Sequence, residues 1–340
     1  MKRPLLTCAL ILALFSARAP GAGAPDTVIV DSETEGVIHG ALQYLAAHQR
    51  FDGSWTQAPN SGAYPVAMTG YALLAFLSAG NLPDDGEYGR NVSQGMQYLI
   101  DQIEPNGIFR DAEQQRYMYS HGIATVALSE LYGETRSPLL RQKLSQIVNV
   151  IVAAQSPPGG WRYLPASRDA DISVTVCQVA ALRAAKNAGL DVPQAALDRA
   201  VDFIDKCYND QTGAFAYQPR TPPGFARTAA AIYSLQLCGK YDDPRVAKGS
   251  DYLFANDSES VEWWPYGCYY ARPAEYMIGG EAWKRWYGEM RTHLLADVIR
   301  DGDACHWDQR RSEMLGPIYE TSVFVTILAT PYHYLPLYQR

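Results

Sequence analysis

Two kinds of apolar pattern alternate along the chain. In the first, apolar residues fall on one face at helical spacing: Val37, Ala41, Tyr44 and Leu45 share a face from which Gln43 and His48 are excluded. In the second, as in residues 66–79 and 123–131, the stretch is apolar nearly all round. Between them lies a short turn rich in Gly, Asp and Asn that delivers one aromatic residue. The unit recurs six times. Its marker aromatics are Trp55, Phe109, Trp161, Phe215, Trp264 and Trp307, separated by 54, 52, 54, 49 and 43 residues, the fifth copy being degenerate. That spacing fits two helices and two connections per unit. Strand signals are nearly absent. A helix apolar on every side must be covered on every side, whereas an amphipathic one needs a single partner face. Two concentric layers satisfy both, with the uniformly apolar helices inside. Six hairpins can close such a ring, so the pattern predicts an all-α, single closed domain spanning about residues 34 to 335.

The turn chemistry agrees. Gly53, Gly107, Gly160 and Gly213 sit at or near turn positions where a positive φ costs glycine little. The aromatic that follows can drop back onto neighbouring helices, and a buried Trp N–H needs an acceptor. Gln49, Gln102 and Gln155, near the ends of the first helices, can hydrogen-bond the turn backbone or the next repeat.

Charge and the N-terminus then define the setting. Of 340 residues, 47% are hydrophobic, and 29 Lys and Arg stand against 36 Asp and Glu, a net charge of −7. The first 24 residues hold Lys2, Arg3 and Arg18 and no acid, so the remainder carries about −10. A body that acidic repels phosphate backbones and excludes nucleic acid as a partner. Residues 1–24 read as a secretory signal peptide: a positive start, an apolar run at 5–15, then small residues including Ala22 and Ala24. A retained N-terminal anchor is the alternative. No later segment has transmembrane length without charge, so residues 25–340 are expected as one secreted or periplasmic domain. Five cysteines remain (Cys177, Cys207, Cys238, Cys268 and Cys305), odd in number, far apart and without a CxxC pair, and read chiefly as small buried side chains.

The stretch 40–55, GALQYLAAHQRFDGSW, resembles the repeat of squalene and oxidosqualene cyclases, with Gly40, Tyr44, Leu45, Gln49, Gly53 and Trp55 in its order and spacing. The chain is similar to exported bacterial prenyltransferase or squalene-oxidase repeat proteins, through YSHGIATVALSELYG at 119–133, GGWRYLP at 159–165, DADISVT at 169–175 and the tail PYHYLPLYQR at 331–340. The resemblance implies an α/α toroid (α6/α6 barrel) of six helical hairpins. It is much less specific for activity.

Three chemistries each find partial matches among the residues. Class II terpene cyclases protonate their substrate from a D-x-D-D motif; the nearest match is Asp169 and Asp171, with Ile172 where the resemblance implies the donor acid. The same two acids can instead cap the start of the third inner helix. Prenyltransferases hold zinc through D-x-C and a distant His, for which Asp303, Cys305 and His333 are weak candidates; no cofactor or metal is expected. Carbohydrate-active barrels use paired carboxylates and aromatic platforms. If the ring closes, the starts of the inner helices converge on one mouth, gathering Tyr119, Ser120 and His121, then Asp169 and Asp171, Arg227, Tyr269, Tyr270, Arg272, Tyr319 and Glu320. His121, Asp169 and Asp171 are the candidate catalytic groups and the others the candidate ligand-binding ones; a lone His at a helix start is more often a capped or hydrogen-bonded structural residue, which is the competing reading of His121. The expectation is a central pocket that binds an apolar or isoprenoid-like molecule, or a protein partner on the same face. A terpene cyclase or prenyltransferase, and a carbohydrate-active enzyme, are the alternatives.

Overall fold

The computed structural model describes residues 28–56, 64–110, 116–258, 260, 263–308 and 316–338. The proposed signal peptide at 1–24 lies outside the described residues.

Six helical hairpins follow one another: α1 (Ser32–Ala47) with α2 (Pro65–Ser78), α3 (Gly89–Gln102) with α4 (Tyr117–Thr135), α5 (Pro138–Ala153) with α6 (Ile172–Asn187), α7 (Gln194–Lys206) with α8 (Phe225–Leu237), α9 (Pro244–Asn256) with α10 (Trp264–Ile278), and α11 (Gly280–Asp297) with α12 (Gly316–Leu328). The even-numbered helices touch in sequence, and α12 touches α2, so the inner ring is shut. The odd-numbered helices surround it. This is the all-α toroid that the alternating pattern demanded. Every residue of α2 from Val66 to Ser78 is buried, while α3 buries Val92, Gly95, Tyr98, Leu99 and Ile100 along one face. The seam between last and first hairpin is fastened by Arg291 on α11, which donates to Asp31 at 2.5 Å, to Glu33 at 3.1 Å and to Thr34 Oγ1 at 2.7 Å. Asp31 also caps α1 through the Thr34 N–H, and these hydrogen bonds draw its carboxyl down to about 2.

The recurring turn is built from a fixed set of bonds. The indole N–H of Trp55 donates to Leu45 O, that of Trp161 to Ile151 O and that of Trp307 to Leu294 O, each within 2.9 Å. In four of the six units the marker's backbone N–H donates to a threonine on the inner helix, Trp55 to Thr69, Trp161 to Thr175, Phe215 to Thr228 and Trp307 to Thr321, and Phe109 donates to the Tyr117 hydroxyl instead. Trp55, Trp161 and Trp307 thus tie the outer helix behind them to the inner helix ahead, and truncating one to Ala would cost about 3–5 kcal/mol. Gln49 and Gln155 do both things expected of them: each donates to its own turn and to a carbonyl of the next outer helix.

Four details differ from the sequence reading. In the third turn it is Gly159 that takes positive φ, at 109°; Gly160 is there for space, since a Cβ would meet Phe203 and Thr175 at 2.6 Å. In the fifth hairpin Trp264 lies on α10 itself rather than in a turn, and its N–H reaches Asp257 at 2.7 Å. Two short antiparallel ribbons occur, β1 (Tyr208–Asn209) with β2 (Ala214–Phe215) and β3 (Ile299–Asp301) with β4 (Ala304–His306), because the chain reverses tightly through the fourth and sixth turns. The tail is part of the core: Leu335 and Leu337 are buried, and the 3-10 turn Pro336–Tyr338 packs on α6 and α10, closing the end of the ring where the inner helices finish. The five cysteines of the described residues are free thiols, all but Cys238 buried.

Candidate functional site

The inner helices start at the opposite end, and there the ring holds a cavity of about 460 Å³, within the usual range for small-molecule sites. Its wall is chiefly aromatic. Tyr64, Tyr71, Tyr119, Tyr163, Tyr217, Tyr266 and Tyr319 line it with Trp263, Ala67 and Met68, and Arg116, Arg227, Ser120, Ser173 and Thr221 add polar groups. No carboxylate belongs to the lining among the described residues.

The floor is a cluster of stacked rings. Tyr71 meets Tyr319 edge-on at 4.9 Å and Tyr269 at 5.3 Å; Tyr270 packs edge-on against both Tyr266 and Tyr269. Burial drives the hydroxyls of Tyr71, Tyr266 and Tyr270 well above the ordinary phenol range, so they are neutral.

One side of the wall is a continuous hydrogen-bond network around Asp171. This residue is fully buried and caps α6 through the Val174 N–H at 2.9 Å. Its Oδ2 takes a 2.6 Å bond from Arg162 Nη1, which also donates to Tyr217 Oη at 2.6 Å. Its Oδ1 takes the Ser173 hydroxyl at 2.6 Å, and Ser173 Oγ lies 2.5 Å from Tyr119 Oη. Tyr163 and Tyr217 share a hydroxyl–hydroxyl bond of 2.5 Å, and the Arg162 guanidinium sits 4.3 Å from the centre of the Tyr163 ring. Burial opposes the charge on Arg162, but the Asp171 carboxylate more than restores it.

The nominated residues separate into groups. Tyr119, Ser120, Arg227 and Tyr319 line the cavity. Tyr269 and Tyr270 lie directly behind its floor, Tyr270 with its hydroxyl 3.2 Å from Cys177 Sγ. Arg272 is buried lower in the ring, its guanidinium over the Tyr269 ring and donating to Thr326 O at 2.9 Å, and Glu320 is buried on α12; neither is in the lining. Asp171 stands behind the wall as a cap and as the ion-pair partner of Arg162. Asp169 is mostly exposed and 3.2 Å from Arg162 Nε. His121 faces the second turn and not the cavity: its ring stacks on Tyr117 and meets Phe109 edge-on, and burial pushes it down to about 4, so it is neutral. Asp303, Cys305 and His333 are not brought together. Cys305 donates to Val37 O under α1, whereas His333 pairs with Tyr276 at the tail, and no group of three potential metal ligands occurs among the described residues.

Arg162, Tyr163 and Ser173 lie within the distinctive stretches 159–165 and 169–175 but are not among the nominated site residues, and Tyr217 and Tyr266 do not stand out in the sequence. A repeat-register signal does exist: Tyr163 and Tyr217 each stand two residues after a marker aromatic, Trp161 and Phe215.

Solved structures with this fold differ widely in activity. The apo type II terpene cyclase MstE from Scytonema aligns with a TM-score of 0.59 at 13% identity, covering 89% of this chain and 99% of that one. An inactive variant of the alpha-1,6-mannanase GH76A of Salegentibacter, in complex with alpha-1,6-mannotriose, gives 0.62 at 8% identity, covering 87% and 99%. Cellobiose 2-epimerase from Bacillus thermoamylovorans gives 0.60 at 12% identity, covering 87% and 98%. Similarity at this level establishes the fold alone. No curated protein sequence matches the chain. A family model, the prenyltransferase alpha-alpha toroid domain, matches residues 66–264, more than half of the chain, and the protein therefore belongs to the prenyltransferase alpha-alpha toroid family.

Proposed function

We propose that the protein is an exported binding protein that holds an apolar, isoprenoid-like small molecule in the tyrosine-walled cavity. The observation that carries this is the lining itself: a recess of about 460 Å³ with seven tyrosine rings, Trp263, Met68 and Ala67, and no carboxylate among its described residues. Ring faces and a methionine offer dispersion contact to an extended hydrocarbon. Acid-driven cyclisation and two-carboxylate sugar hydrolysis both need an acid at the reacting atoms. Here the best-placed acid, Asp171, is engaged by Arg162, Ser173 and the α6 backbone. In this reading Asp171 positions the wall, Asp169 supports Arg162, and His121 is structural. Export rests on the character of residues 1–24. Among the described residues no helix is long and apolar enough to cross a membrane.

The test is purification from the native envelope with mass spectrometry of co-extracted small molecules, followed by titration with farnesol. Micromolar or tighter binding that Tyr71→Ala weakens at least about tenfold supports the proposal. Absence of both a co-purified lipid and farnesol binding refutes it. N-terminal sequencing of that preparation tests export: a start near residue 25 is expected, and an intact Met1 contradicts it.

A further inference from the structure

The hydroxyl protons of the cavity wall can be counted. Ser173 has one, and it goes to the Asp171 carboxylate, which can only accept while paired with Arg162. The Tyr119–Ser173 bond must then run the other way, with Tyr119 donating. Tyr266 donates its proton to Ser173 O at 2.7 Å. Tyr217 Oη accepts from Arg162, and of the two protons on Tyr163 and Tyr217 one is used between them. All five residues belong to the cavity lining, on the side around Asp171; Ser120, Thr221, Arg116 and Arg227 lie elsewhere in it. Only one of the five hydroxyl protons is left to face a ligand, while Tyr119 and Tyr266 have lone pairs but no proton to offer. Burial keeps both of those phenols neutral. Without Asp171 and Arg162 the hydroxyls of Ser173, Tyr119, Tyr163 and Tyr217 could turn either way, while Tyr266 would still donate to the Ser173 carbonyl.

We infer that the Asp171–Arg162 pair fixes this side of the wall as an acceptor surface with a single donor, and that it thereby selects a hydroxyl as the ligand group seated against it. A hydroxyl gives its proton to Tyr119 or Tyr266 and accepts the remaining one from the Tyr163–Tyr217 pair. An ether or ester, which only accepts, leaves the acceptors without a partner. Asp171 and Ser173 are positioning residues here, acting through Tyr119. The inference deepens the proposed binding function and rests on the cavity being occupied by a small molecule. The hydroxyl itself has two sources, an isoprenoid alcohol or a sugar, and the lining's rings and methionine favour the first.

The experiment titrates the folded full chain with farnesol, farnesyl methyl ether, farnesyl phosphate and cellobiose, for wild type, Ser173→Ala and Tyr119→Phe. Folding of each variant is checked by circular dichroism and thermal unfolding. Farnesol is expected to bind about five- to tenfold more tightly than the ether. In Ser173→Ala, Tyr119 regains a proton to offer, so that preference falls to about onefold; a clash with the added methyl would persist in the variant. Equal affinity for alcohol and ether in wild type overturns the inference and leaves the apolar reading standing. So does a preference unchanged by Ser173→Ala, or phosphate binding more tightly than alcohol, which would seat the head group on Arg116 and Arg227. Cellobiose binding without farnesol binding, weakened by Tyr119→Phe, refutes the apolar reading and keeps the hydroxyl one. Cellobiose binding indifferent to Tyr119→Phe, or no binding by any probe, refutes both.

Discussion

The two ends of the inner ring are made by the same six helices and are opposites in chemistry. Where the helices begin, tyrosine hydroxyls, serines and arginines surround a cavity of about 460 Å³. Where they finish, the chain's own tail fills the opening: Leu335 and Leu337 are buried, and the voids beside them are about 10 Å³ each. A ring of apolar helices has two open ends that expose greasy surface. This chain covers one with its own residues and furnishes the other with groups that water or a ligand can satisfy. Stability should therefore depend on the closed end and be nearly indifferent to hydroxyls at the open one.

The strongest way to break that comparison is to charge the plug. Leu337 shares its void with Ile123, Val126, Ala180 and the Arg272 side chain, so Leu337→Lys places a second positive charge in an enclosed space. A loss on the order of 4 kcal/mol in chemical unfolding is expected. An unchanged unfolding midpoint would mean that the tail is not a plug.

Next comes pH. Burial raises Glu130, on α4 and hydrogen-bonded to the Leu337 backbone, to about 8, and Glu275, which accepts from Ser250, to about 7. Both carboxyls hold their proton more tightly folded than unfolded, where the value is near 4.5. Between about 4.5 and 8 the folded state binds more protons, so stability falls as pH rises, and the loss is complete above the folded values. A decline of roughly 1–3 kcal/mol between about pH 5 and pH 8 is expected in urea unfolding. Glu130→Gln should flatten much of it; an identical slope in the variant would show that Glu130 does not carry the pH dependence.

How far the sequence revealed this follows from what each level depends on. The toroid was legible because burial is periodic: Val37, Ala41 and Leu45 are fully buried where a helical stripe requires, and 66–78 is buried throughout because an all-round apolar helix leaves no alternative. The mouth was legible as far as inner-helix starts go, which found Tyr119, Ser120, Arg227 and Tyr319. Arg162 and Tyr217 were not, since their bond joins residues 55 apart through a contact that only the closed ring creates. His121 shows the opposite error. It stands one residue from Ser120, but on a helix one residue is about 100° of rotation, enough to turn it from the cavity toward Phe109. The tail was noticeable as a motif, yet nothing in its composition says which end of a ring it enters.

The smallest expected effect is the sharpest form of the comparison, because the same atom is removed at both ends. Tyr287 donates its hydroxyl to Leu328 O at 2.9 Å, beside the last turn of α12, where both groups are buried. Tyr287→Phe strands that carbonyl and should cost about 1 kcal/mol. Tyr163 is half-buried at the mouth, bonded to Tyr217 and facing the cavity. In Tyr163→Phe the Tyr217 oxygen keeps its bond from Arg162, and water in the cavity can replace the missing partner, so the change should stay within about 0.5 kcal/mol. Parallel denaturant titrations of the two variants decide the matter. Equal losses would mean that the mouth hydroxyls brace the fold as firmly as the closed end does; unequal losses in the stated direction would mean that the mouth network is spent on orientation rather than on holding the ring together.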